Sequence, residues 1–172
     1  MAKLFFAQRQ DYQNALIIGR PYRKKPYLGK KSDTSIHNIC IAAIKRKTMK
    51  PYDFKWTRFY EESADFKNSY QGIEIELSDN ELVICSTVID KDNFSVLTTQ
   101  NITTKENGIL SSGNLNGAID KLYGNFKGIK NEPITFGLLQ LSNGNEIRYF
   151  IETHRASMVM IYGIRTRIQT EE

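Results

Sequence analysis

Cysteine and histidine are nearly absent from this sequence, with two of each in 172 residues. Cys40 and Cys85 sit inside apolar segments, 45 residues apart, with no Cys-x2-Cys pair. That excludes a disulfide framework and a thiolate zinc site, and it reads as two buried, reduced thiols. Long apolar runs are missing too. The longest, residues 39–44 and 158–162, fall far short of the roughly 20 residues that cross a bilayer, so no membrane partner is expected. The opening Met-Ala-Lys-Leu-Phe-Phe-Ala lacks an apolar stretch of export-signal length, and the cytoplasm is the expected compartment. Acidic residues are scarce in the first third: residues 1–60 carry 3 Asp and Glu against 14 Lys and Arg.

That last scarcity is the most informative. Residues 61–172 carry 10 cations against 16 anions, so a balance of +11 is followed by one of −6. A field concentrated on one part of a small protein attracts polyanions. The composition, 40% hydrophobic and 25% charged, is that of a globular chain with a real core. Residues 1–60 are read as a basic aromatic N-terminal segment with one helix. Residues 61–172 are read as an antiparallel β-rich core with one helix, the two forming one compact domain.

Short strands are expected at residues 4–7 and 12–18. Residues 20–31, Arg-Pro-Tyr-Arg-Lys-Lys-Pro-Tyr-Leu-Gly-Lys-Lys, form a basic arm, because prolines, a glycine and like charges oppose a helix. Ser32, Asp33 and Thr34 offer N-cap side chains. Ile36, Ile39, Cys40, Ala43 and Ile44 recur at helical spacing, and Lys45-Arg46-Lys47 suits the negative end of the dipole, which predicts a helix over 34–47. Strands are predicted at 55–60, at 73–77 with Glu74 and Glu76 on one face, at 82–89, at 94–99, at 134–141 and 147–151 around the Asn143-Gly144 turn, and at 158–168. Leu115, Ala118, Ile119 and Leu122 predict a short helix within 113–128. The fold class expected is α+β: a mainly antiparallel sheet or an OB-like barrel, with two short helices and a basic N-terminal arm. The barrel alternative rests on the order of three strands, a helix and further strands.

For function the leading expectation is a non-catalytic, accessory or regulatory nucleic-acid-binding protein, requiring no cofactor. The candidate contacts are Arg20, Tyr22, Arg23, Lys24, Lys25, Tyr27, Lys30, Lys31, Lys45, Arg46, Lys47, Lys50, Lys55 and Arg58. Cations release counterions from phosphates, and interleaved aromatic faces stack on unpaired bases. Trp56 and Phe59 are read as core. No base-reading motif is present, so sequence preference is not expected.

The same cations also fit docking on an acidic protein surface. Glu74, Glu76, Asp79 and Glu81 form an acidic edge able to pair with the basic third internally. A third reading is a metal-independent ribonuclease, with His37 and His154 as acid and base and Glu152 orienting His154 from a shared strand face. His37 has a plainer reading as a surface residue of the first helical turn. Glu74, Glu76, Asp79 and Asp90 are also carboxylates of the kind that hold magnesium, although alternation and turn chemistry already explain them.

Overall fold

The computed structural model describes residues 29–170. The expected strands at 4–7 and 12–18, and the arm through Leu28, lie outside the described residues. Helix α1 runs Asp33–Lys47. Ser32 caps it by accepting the Ser35 N–H, and Lys45, Arg46 and Lys47 fill its last turn, as the spacing predicts.

Next come β1 (Thr57–Phe59), the short helix α2 (Asp65–Ser69), β2 (Val83–Asp90), β3 (Asn93–Thr98), β4 (Asn101–Glu106) and β5 (Ile109–Asn114). These five strands form an antiparallel meander in chain order. β6 (Ile119–Leu122), β7 (Ile134–Gln140) and β8 (Glu146–Glu152) form a second antiparallel sheet. After a 3₁₀ turn at His154–Ala156, α3 spans Ser157–Gln169. The fold is α+β with two antiparallel sheets, and the pairings among the described residues do not close either sheet into a barrel.

The larger sheet is covered on both faces because its central strands alternate two sets of apolar residues. Ile84, Cys85 and Leu97 join Cys40 and Ile44 of α1, Met160 and Ile164 of α3, and Tyr149 and Ile151 of β8 in the main core. Phe94 and Val96 face the other way, with Val83 and Val88, toward Tyr60 and Phe66. Helix α1, from the basic third, is therefore buried in the same core as the strands. Burial desolvates both thiols: Cys40 is pushed up to about 12 despite the nearby Arg167 guanidinium, and Cys85 is also raised.

Three expectations are corrected. Residues 113–128 contain no helix. They end β5, turn, and form β6, because Gly117, Gly124 and Gly128 adopt positive φ values that break a helical path. With that helix goes the element order behind the barrel. Residues 158–168 are helix, not strand. Ala156, Val159, Met160, Gly163, Ile164 and Arg167 are all buried and recur at helical spacing. Gly163 permits the close approach, since a Cβ there would lie 2.9 Å from Cys85 Sγ. Residues 73–77 keep the expected alternation, with Glu74 and Glu76 exposed, but pair with no strand among the described residues. The β4–β5 hairpin was not expected, although its Asn107-Gly108 turn carries the positive φ values that also mark a tight turn at Gly144.

Candidate nucleic-acid interface

The described cations of the basic third separate to the two ends of α1, about 22 Å apart at 1.5 Å per residue. At the N-terminal end, Lys31 Nζ donates to the Thr170 carbonyl at 2.7 Å, tying α1 to the end of α3. Lys30 and Lys31 share a small polar cleft there with Asp33, Asn116 and Arg167. Arg167 is 1% exposed; its Nε donates to the Thr99 carbonyl and its Nη2 to Asn116 Oδ1 at 2.8 Å. Asp33 accepts from Gln100 Nε2. At this end Lys31 and Arg167 serve as internal hydrogen-bond donors, whereas Lys30 is exposed.

The C-terminal end differs. Arg46, Lys47, Lys50, Lys55 and Arg58 are exposed and Lys45 is half-buried. Lys45 pairs with Glu61 at 2.6 Å, a solvent-facing contact worth about 0–1 kcal/mol. The C-terminal dipole of α1 offsets part of the repulsion among Lys45, Arg46 and Lys47. Aromatic rings stand among these charges. Lys55 Nζ lies 4.3 Å from the Trp56 ring centre and Lys47 Nζ lies 5.4 Å from that of Tyr162. Tyr52 meets Phe59 edge to face at 5.0 Å, and a cleft of about 470 Å³ opens between Tyr52, Phe54, Arg58, Phe59 and Asp65. Phe59 packs partly on the main core, in keeping with its expected core role, whereas Trp56 is half-buried beneath Lys55.

Glu152 organises this surface. Its carboxylate accepts the backbone N–H groups of Lys55 at 3.1 Å, Trp56 at 3.0 Å and Thr57 at 2.8 Å. Three donors on one carboxylate fix the path of residues 55–57, and with it the placement of Lys55 and Trp56. The sequence offered Glu152 only as a partner for His154. That pairing is corrected, because His154 lies beyond β8 in the 3₁₀ turn, at φ 62°, while Glu152 closes the strand. His37 is also not a surface residue: it is 4% exposed and its Nε2 lies 3.1 Å from the Val83 carbonyl, to which it donates.

Tyr162 and Glu152 reach this surface from residues more than 90 positions away in the chain, and no local pattern announced either. Arg20, Tyr22, Arg23, Lys24, Lys25 and Tyr27 lie outside the described residues. Of the carboxylates considered for magnesium, Asp90 accepts from the Asp92 N–H and the Asn93 amide, and the former chiefly lowers its pKa. Among the described residues no three or more His, Cys, Asp or Glu side chains gather as a metal site would need, and no helix is long and apolar enough to cross a membrane. No protein-family model matches the chain, and neither a curated protein nor a solved structure matches it.

Proposed function

We propose that this protein binds nucleic acid without catalysing a reaction on it, through the cation-bearing, aromatic end of α1. The observation that carries the reading is the exposure of Arg46, Lys47, Lys50, Lys55 and Arg58, with Lys47 over the half-buried Tyr162 ring and Lys55 over that of Trp56. Exposed cations neutralise phosphates and release counterions. Adjacent ring faces add stacking of about 1–3 kcal/mol per unpaired base. Residues 20–27 of the basic arm extend the same chemistry. The contacts involve no base-edge code, so affinity depends on charge, salt and strandedness more than on sequence. Cys40 and Cys85, free and buried, suit a reducing cytoplasm.

The test is fluorescence anisotropy of the full chain with labelled single-stranded DNA, duplex DNA and RNA at several salt concentrations. Binding that weakens steeply with salt and favours single strands is expected. Absence of binding at low salt ends the reading and turns the search to an acidic protein surface.

A further inference from the structure

Between α2 and β2 the chain runs extended across the outer face of the larger sheet. Ile73, Ile75 and Leu77 pack inward against the second core cluster, while Glu74 and Glu76 face water. Among the described residues the backbone N–H and C=O groups of residues 74–77 have no hydrogen-bond partner, since the neighbouring bonds stop at the Ile73 and Ser78 N–H groups. Residues 73–78 line a cleft of about 1040 Å³. Its floor is the outer face of β4 and β5, with Asn101, Thr103, Leu110 and Ser112. Leu110 is 58% exposed, and among the described residues Lys67 is the lone cation lining the cleft. Neither Glu74 nor Glu76 forms an ion pair among the described residues.

A row of unpaired donors and acceptors on an extended segment is a template for one more strand. A strand laid along residues 74–77 would pair with the N–H and C=O groups of every second residue, those that point to its side. On the glutamate side its side chains would stand directly opposite Glu74 and Glu76, where opposite charges are favoured. On the other side they would sit over Leu110. Four or five residues at about 3.3 Å each span such a segment, and the two carboxylates repel a nucleic-acid backbone.

We propose that this cleft docks an extended segment of a partner protein in which Lys or Arg alternates with small apolar residues, bound as an added β-strand. The site is separate from the cationic end of α1, so a nucleic acid and a basic partner can be held together.

The probe is a fluorescein-labelled octapeptide, Thr-Lys-Val-Lys-Thr-Lys-Val-Lys, titrated into the full chain and followed by anisotropy. Two further probes carry backbone N-methyl groups at odd or at even positions. Saturable binding is expected, weakened at least tenfold by one N-methyl pattern and by the double substitution Glu74→Gln and Glu76→Gln. Among the described residues those two side chains have no partner to lose, so the variant is expected to fold. Equal binding of all three probes would mean charge attraction without strand pairing and would overturn the proposal, as would the absence of saturation at 100-fold excess of protein. Binding that emerges only after Arg23, Lys24 and Lys25 are replaced by Gln would show the cleft filled by the chain's own basic arm, which also overturns a partner in that role.

Discussion

The two ends of α1 carry the same kinds of side chain and use them in opposite ways. At the N-terminal end Lys31 and the α3 residue Arg167 donate to main-chain carbonyls of Thr170 and Thr99, and their charge is spent inside the structure. At the C-terminal end Arg46, Lys50, Lys55 and Arg58 face water, and a carboxylate, Glu152, holds the backbone at residues 55–57. A cation with an internal acceptor is part of the fold. One without such an acceptor is available to a partner, and a count of charges along the chain does not distinguish the two.

The comparison breaks most visibly at Arg167. Replacing it with Met leaves the Thr99 carbonyl and the Asn116 side chain without their donor, and a loss of about 2–4 kcal/mol in chemical denaturation is expected. Nucleic-acid affinity per folded molecule should stay within about twofold. A stability change under about 0.5 kcal/mol, or a large affinity loss in a folded variant, would move Arg167 to the other side of the comparison.

Glu152→Ala sharpens it from the opposite end. Three backbone donors lose their acceptor, and because water reaches part of that segment the expected cost is about 1–2 kcal/mol. Single-strand affinity should also fall several-fold as residues 55–57 loosen. Denaturation and anisotropy on one preparation read both effects, and unchanged affinity would mean that Glu152 supports the fold alone.

Trp56→Leu keeps apolar bulk and removes the ring face. Single-strand binding should weaken by about 1 kcal/mol, at the low end for one stacked base, with duplex binding nearly unchanged. Equal losses on both substrates would remove stacking from the account.

The smallest effect expected is at Asp120, away from both ends of the helix. Burial raises its pKa above the usual carboxylate range, and the Tyr123 hydroxyl and Arg165 offset this only in part. A raised carboxylate pKa means that the folded state prefers the protonated form. Its contribution is present at low pH and is lost as pH rises through the unfolded and then the folded value. Asp120→Asn should therefore gain stability relative to the parent as pH rises through and above the ordinary carboxylate value. A difference that is flat with pH, measured by urea titration, would contradict this.

Much of the fold was legible where the signal is local. Helix α1 announces itself through Ser32, its apolar spacing and its basic last turn, and β7–β8 through Asn143-Gly144. Helix α3 was misread because Met158 to Tyr162 is a continuous apolar run and no side chain caps its start, while the buried stripe includes a glycine and an arginine. Apolar spacing in 113–128 suggested a helix that the backbone at Gly117 and Gly124 does not allow. The cations of the site were plain in the sequence. Their sorting was not, since Lys31 meets its acceptor 139 residues away and Arg167 meets one 68 residues away.

The most direct test of the central claim is the salt dependence of single-stranded DNA binding, comparing the parent with a variant in which Lys47, Lys50, Lys55 and Arg58 are all Gln. At about 0.7 of slope per phosphate contact on a single strand, the plot of log affinity against log salt should flatten by roughly 2–3, with stability little changed. An unchanged slope and affinity in that folded variant would contradict the assignment of binding to the C-terminal end of α1.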